Sequence, residues 1–278
     1  MSTINITLIK KNPLSIPAIM ASEMGIFKKY NIEVNLELPE DFDFGGKNPF
    51  LEGESHAMMG DITFFFYMIE RGKNAVITSN LTRTISFLTS KDASKDLSGL
   101  KVGVNRSGMF KLFLENDLKN KLEDVKIVWI NNTYDRIKAL DEGQIDALVA
   151  IEPFIGELVD RGYEKVWSLR ESDKNLVMWC FEEKFYREDK EAVKSFHKAL
   201  EEAKVIFNES SKEEKVKIAI DYAGYSLNAA KRLEDFTFEK GEAFREEDFN
   251  LCQEWMYREG DIDRLYNSKD LIIKDIFI

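Results

Sequence analysis

The chain has 278 residues, 44% of them hydrophobic, which is enough for one large or two medium domains, each with its own core. Its net charge of −11 is spread without any basic block and argues against nucleic acid or an anionic membrane surface as partner. No apolar run approaches the roughly 18–20 residues of a bilayer span.

Residues 4–9 read as a first strand. After it, NPLSIPAIMASEMGIF (12–27) opens on a Pro/Ser turn and continues with Ile16, Ile19, Met20, Met24 and Phe27 at helical spacing. The turn lies at the carboxyl end of its strand, so Asn12 and Ser15 are candidate ligand contacts, with plain helix capping by Ser15 as the alternative. A strand at 32–38 follows. The loop DFDFGGKNPFLE (41–52) has Asp41, Asp43, Gly46 and Glu52 at calcium-loop positions, but Gly45 replaces a ligand and a strand stands where a helix would, so it reads as a solvated acidic turn.

Residues 50–72 (FLEGESHAMMGDITFFFYMIERG) and 139–162 (ALDEGQIDALVAIEPFIGELVDRG) share their punctuation. Gly53 matches Gly143, Ala57 matches Ala147, Phe64 matches Phe154, and Arg71-Gly72 matches Arg161-Gly162 at equal spacing. Each copy reads as a helix ending near the first Gly, a buried strand, and an apolar helix running to the Arg-Gly pair. The longest apolar run, 62–69, is the helix of the first copy. With flanking strands at 102–105 and 125–130, both halves become β-α-β-α-β-α-β. Parallel sheets of this kind carry their ligand loops at the strand carboxyl ends, and two halves facing each other would enclose one cleft.

The strand ends then nominate the site. In the first half they are Asp61 and Thr63, together with Asn80 after the strand at 74–78. Residues 79–91 are extended, without the helix that alternation predicts, and read as a crossover into a second lobe. There DLSGLKVGVNRSGMF (96–110) places Asn105, Ser107 and Gly108 between a strand and a helix, where free N–H groups suit an anionic or polar group and Arg106 adds charge. For each residue singly, capping by Ser107 and a solvated Arg106 explain the pattern equally well. Asn131-Asn132 is either turn chemistry or a pair of ligand-facing amides. Glu152 precedes Pro153 at the next strand end, where the helix dipole favours a carboxylate with or without a ligand.

Residues 176–181 read as the return crossover, and Trp179 and Tyr134 are available to stack a ring. From 189 onward the chain turns helical: Ala192, Val193, Phe196, Ala199, Leu200, Ala203, Ile206 and Phe207 form one stripe, and Ser211 with Glu214 forms a capping box. The expected architecture is α/β, with two Rossmann-like lobes joined by a hinge. Residues 1–86 plus 173–278 make lobe one, which carries the C-terminal helices, and 87–172 make lobe two. Two extended connections predict that lobe two moves as a body when ligand binds.

The dinucleotide, P-loop, zincin and nucleophile-elbow motifs are absent from the sequence. His56 and His197 read as structural or surface residues, and Cys180 and Cys252 as separate buried thiols. No metal site, cofactor or catalytic residue is expected. The start, MSTINITLIKK, has no basic segment followed by an apolar core, which leaves two locations: cytoplasmic if the sequence begins here, extracytoplasmic (periplasmic or lipid-anchored) if a leader was removed.

The segments PLSIPAIMASEMGIFKKYNIEV, FLEGESHAMMGD, DLSGLKVGVNRSG and ALDEGQIDALVAIEPF resemble the substrate-binding proteins of ABC importers, in the group handling sulfonates, taurine, nitrate and thiamine-precursor pyrimidines. The resemblance covers roughly residues 4–170. It implies a type II periplasmic-binding fold, a small-molecule ligand held between two lobes, an ABC-transporter permease as partner, and a monomer. The superfamily also includes a cytosolic pyrimidine synthase, which has a histidine on the helix after the strand ending at Gly60 and a cysteine cluster in the return crossover. Here those places hold Ile62-Thr63-Phe64 and Trp179-Cys180-Phe181.

Overall fold

The computed structural model describes residues 2–8, 12–38, 48–83, 85–106, 108–152 and 154–277. The acidic turn expected at 41–52 therefore lies mostly outside the described residues, as do Ser107 and Pro153. The chain divides into two compact units: unit 1 comprises residues 1–82 and 177–278, and unit 2 comprises 83–176.

The strands in chain order are β1 (Ser2–Thr7), β2 (Ile32–Glu37), β3 (Ala57–Asp61), β4 (Ala75–Asn80), β5 (Ser86–Thr89), β6 (Lys101–Val104), β7 (Lys126–Trp129), β8 (Ala147–Ala150), β9 (Glu164–Ser168) and β10 (Val177–Glu182). The helices are α1 (Ile16–Glu23), α2 (Ile26–Lys29), α3 (Ile62–Glu70), α4 (Met109–Phe113), α5 (Thr133–Asp141), α6 (Phe154–Asp160), α7 (Glu183–Glu188), α8 (Lys190–Glu209), α9 (Lys212–Asp221), α10 (Leu227–Lys231), α11 (Glu246–Glu259) and α12 (Ser268–Leu271).

Unit 1 carries a five-stranded sheet in the order β2-β1-β3-β10-β4, and unit 2 one in the order β7-β6-β8-β5-β9. The two orders are the same pattern, because β6, β7, β8 and β9 repeat β1, β2, β3 and β4. Neither sheet is purely parallel as the alternation predicts. β10 runs antiparallel to β3 and β4, and β5 runs antiparallel to β8 and β9. Each of these is the strand by which the chain enters its sheet from the other unit. It is not delivered by a crossover helix, so nothing imposes a parallel direction on it.

The repeat survives as backbone geometry. Gly53 and Gly143 take φ of +76° and +67°, and Gly72 and Gly162 take +85° and +91°, left-handed values at which a side chain would be strained. One part differs from expectation: before Gly53, residues 49–53 form turns instead of a helix. Asn48 Oδ1 accepts the N–H groups of Phe50 and Leu51, and the turns end at Gly53 in the left-handed region.

In unit 1 the core forms where α8 meets α1, α2 and β10. Phe196, fully buried, lies 5.7 Å from the Phe27 ring, 5.2 Å from Trp179 and 5.4 Å from Phe181. Phe66 of α3 packs edge-on to Phe249 of α11 at 4.8 Å, which holds the C-terminal helices to unit 1. Unit 2 has its own core of Leu88, Ile137, Leu140, Ile145, Leu148, Ile155 and Leu158. Among the described residues no helix is long and apolar enough to cross a membrane.

Candidate functional site

In each sheet the connections reverse direction between the first and third parallel strands, β1 and β3 in unit 1 and β6 and β8 in unit 2. Open α/β sheets bind ligands outside the strand carboxyl ends at such a point.

In unit 1 the register pairs Ile6 with Ala57, so β3 runs on past the end of β1 and presents Asp61 at its tip. Asp61 caps α3: its Oδ1 accepts the Phe64 N–H at 3.0 Å and the Thr63 hydroxyl. The residue keeps part of its surface, yet burial of the carboxyl raises its pKa against the pull of those donors. Asn12 Oδ1 caps the next turn by accepting the Leu14 N–H at 2.9 Å. Ser15 does not cap α1. Its hydroxyl is fully buried and has no partner among the described residues. Asn80 is engaged with the chain at Glu242, donating its N–H to the Glu242 carbonyl and accepting the Glu242 N–H on Oδ1, each at 2.9 Å.

Because folding raises the pKa of Asp61, its acid form is the one folding favours. That contribution is present below the unfolded value near 3.8 and is lost as pH rises through the folded value. Asp61→Asn, which keeps the cap, is therefore expected to raise the thermal midpoint at pH 7, with the gain vanishing below pH 3.8. Equal gains at both pH values would contradict the burial account.

In unit 2, Val102 pairs with Ala147 and Gly103 with Leu148, so β8 runs one residue past the end of β6. Beyond them the loops interlock. Asn131 Oδ1 accepts the Arg106 backbone N–H at 3.1 Å, and Asn132 caps α5 by accepting the N–H groups of Tyr134 and Asp135. Gly108 has φ of +86°, which only glycine adopts readily at this turn, and Asn105 sits half-buried just before it. Glu152 Oε2 accepts the Gly156 N–H at 3.1 Å, so part of its role is to satisfy the start of α6. Tyr134, 70% exposed at the start of α5, stands edge-on to Phe154 at the start of α6, their ring centres 5.2 Å apart.

Trp179 is only 2% exposed. Its register opposite Met59 sets it two residues below Asp61, where its ring packs edge-on to Phe196 and fills core. Of the two histidines, His56 accepts the Asn5 N–H on Nδ1 at 3.0 Å and stacks on Phe185, and His197 is buried against Thr78. Burial pushes the Cys180 and Cys252 thiols well above their ordinary pKa, the opposite of an activated nucleophile. Among the described residues no group of three or more His, Cys, Asp or Glu is placed to hold a metal ion. A polar depression of about 380 Å³ lies on unit 1 beside Asn5, Thr7, Asn35, Glu37 and Ser55, where Asn5 bonds Asn35 and Thr7 bonds Ser55.

The residue that sequence reasoning missed is Arg136. It lies on the apolar face of α5 beside Ile137 and Leu140, and its guanidinium reaches the loop that holds Asn131. An arginine in register with a core stripe was the available signal.

No family model matches the chain, and no curated protein matches it. Solved structures do match. The periplasmic aliphatic sulphonate binding protein SsuA from Escherichia coli superposes with a TM-score of 0.77 at 12% identity, covering 98% of this chain and 92% of that one. The ligand-binding component of an ABC-type import system from Staphylococcus aureus, solved with zinc bound, gives 0.76 at 12% identity, covering 100% and 98%. The desulfurization enzyme DSZB gives 0.65 at 14% identity, covering 99% and 97%. At these identities the likeness establishes the fold, the two-lobe α/β type II binding-protein architecture.

Proposed function

We propose that this chain is a solute-binding protein. It captures a small organic molecule, a sulfonate, a carboxylate or a pyrimidine-like ring, and delivers it unchanged to the permease of an ABC importer. The observation that carries the reading is the duplicated sheet order with a reversal point in each unit; on this reading Asn12, Ser15, Asp61 and Thr63 in unit 1 and Asn105, Gly108, Asn131 and Glu152 in unit 2 are the candidate ligand contacts. One neighbour in fold is named as the ligand-binding component of an ABC-type import system and another as a periplasmic sulphonate binding protein, which supports the same reading and an extracytoplasmic location. The desulfurization enzyme shares the fold, so the fold itself leaves room for chemistry. Against catalysis stand the two buried, unactivated thiols and the structural engagement of both histidines.

A thermal-shift screen over sulfonates, nitrate, carboxylates and pyrimidines tests the proposal. A ligand at a hundred times its Kd adds about 2.7 kcal/mol to stability, a shift such a screen resolves. A flat response across the whole panel would sink it.

For the compound that scores, Glu152→Ala is expected to weaken binding by about 1.5–3 kcal/mol in calorimetry, the size of a lost charge-assisted hydrogen bond. Stability should fall by at most about 1 kcal/mol, the value of a carboxylate at a helix start. Unchanged affinity would confine Glu152 to a structural role.

A further inference from the structure

Arg136 is 1% exposed. Its Nη1 donates to the carbonyls of Ile130 and Asn131 at 2.8 and 2.9 Å, and its Nη2 donates to Thr133 Oγ1 at 2.8 Å. Its Nε has no partner among the described residues, and the nearest ring face is Phe110 at 5.4 Å. No Asp or Glu among the described residues pairs with the guanidinium, and burial is the cause that lowers its pKa, to about 10. A buried charge normally carries a counter-ion, because removing it from water costs several kcal/mol that carbonyl dipoles only partly offset.

The arginine stem lies over β6: a Cβ built at Gly103 would stand 3.7 Å from the Arg136 Cγ and Cδ, ordinary van der Waals contact, and would clash with Ile145 Cδ1 alone, at 2.5 Å. The bonds also continue outward. Arg136 holds the Asn131 carbonyl, and Asn131 Oδ1 in turn holds the Arg106 N–H of the neighbouring strand-end loop. Ile130 N–H bonds the Val104 carbonyl at 3.0 Å, closing the connection between the two loops.

Resting on the solute-binding reading above, we propose that Arg136 is a positioning residue that fixes the strand-end loops after β6 and β7. We further propose that its unanswered charge biases this face toward a ligand bearing a negative group, a sulfonate or carboxylate in preference to a neutral ring. The guanidinium acts through the loop it holds and through its field, which the low-dielectric surroundings strengthen.

Two measurements on the full chain test this. The first is amide hydrogen exchange without ligand. Arg136→Lys keeps the charge but loses the planar fork, and is expected to raise exchange at least about tenfold at 104–106 and 130–135 while leaving β8 unchanged. Thr133→Val, which removes one acceptor and leaves the core intact, should raise exchange in the same segments by less. No change, or a uniform rise across unit 2, would overturn the positioning role.

The second is titration with ethanesulfonate and its neutral isostere ethanesulfonamide. Wild type is expected to bind the anion at least about tenfold more tightly, Thr133→Val to keep that preference, and Arg136→Met to lose most of it. Equal binding, tighter binding of the amide, or binding of neither would overturn the anionic assignment. A response to pyrimidines alone in the thermal screen would overturn the anionic assignment and leave the solute-binding reading standing. A panel silent throughout would fell both, while the exchange result would still decide the positioning role.

Discussion

Phe196→Ala is expected to destabilise unit 1 by about 3–5 kcal/mol, the range for deleting a buried aromatic side chain from a packed core. The ring is fully buried and touches elements distant in sequence: Phe27 of α2 in parallel stacking, Trp179 and Phe181 of β10 edge-on, and His197 beside it on α8. Its removal would leave a void bordered by a sheet and two helices, which cannot collapse without moving all three. Denaturant unfolding should show a lower midpoint with an unchanged slope. A loss below about 1 kcal/mol would mean that α8 does not anchor on β10 in this way.

Acidification is expected to act on the same place. His197 is buried, bonds Thr78 Oγ1 at 2.9 Å, and is surrounded by the rings of Phe181, Phe196 and Phe277, with Lys204 adding a repulsive charge. Burial above all, and then Lys204, lower its pKa from 6.5 to about 3. The unfolded chain therefore takes up a proton near pH 6.5 that the folded chain refuses until about pH 3, so this contribution is full above 6.5 and is lost as pH falls. Within that window the loss is about 1.4 kcal/mol per pH unit. His197→Gln, which cannot titrate and can still bond Thr78, should flatten the fall in stability between pH 7 and pH 4.5 by about 2–3 kcal/mol. Parallel pH profiles for the two proteins would show that His197 is not the group concerned.

The sequence disclosed the repeat because its markers are backbone requirements. Gly53, Gly72, Gly143 and Gly162 stand at positive φ, where another residue would be strained, and the strands between them are nearly continuous apolar runs. Strand order within the sheets was less legible. β5 and β10 look like any other apolar strand, and their antiparallel direction follows from where the chain comes from, which local pattern does not encode. At the site, strand-end positions such as Asp61, Asn131 and Glu152 were readable because short polar residues there stand out between apolar runs. Trp179 was misleading for the complementary reason: a large aromatic suits a ligand wall and a core equally, and only its burial and its edge-on contact with Phe196 assign it to the core. Arg136 was passed over because a charged residue on a helix is ordinarily solvated, and its acceptors, the carbonyls of Ile130 and Asn131 and the Thr133 hydroxyl, are not distinguished by residue type in the sequence.

Native mass spectrometry of the protein with the best compound from the thermal screen tests the central claim most directly. The account predicts a single added mass per chain equal to that of the intact compound, released unchanged on gentle activation, with the protein mass restored. A covalent adduct, a bound species differing in mass from the compound supplied, or bare protein at saturating compound would contradict capture and delivery as the function of this chain.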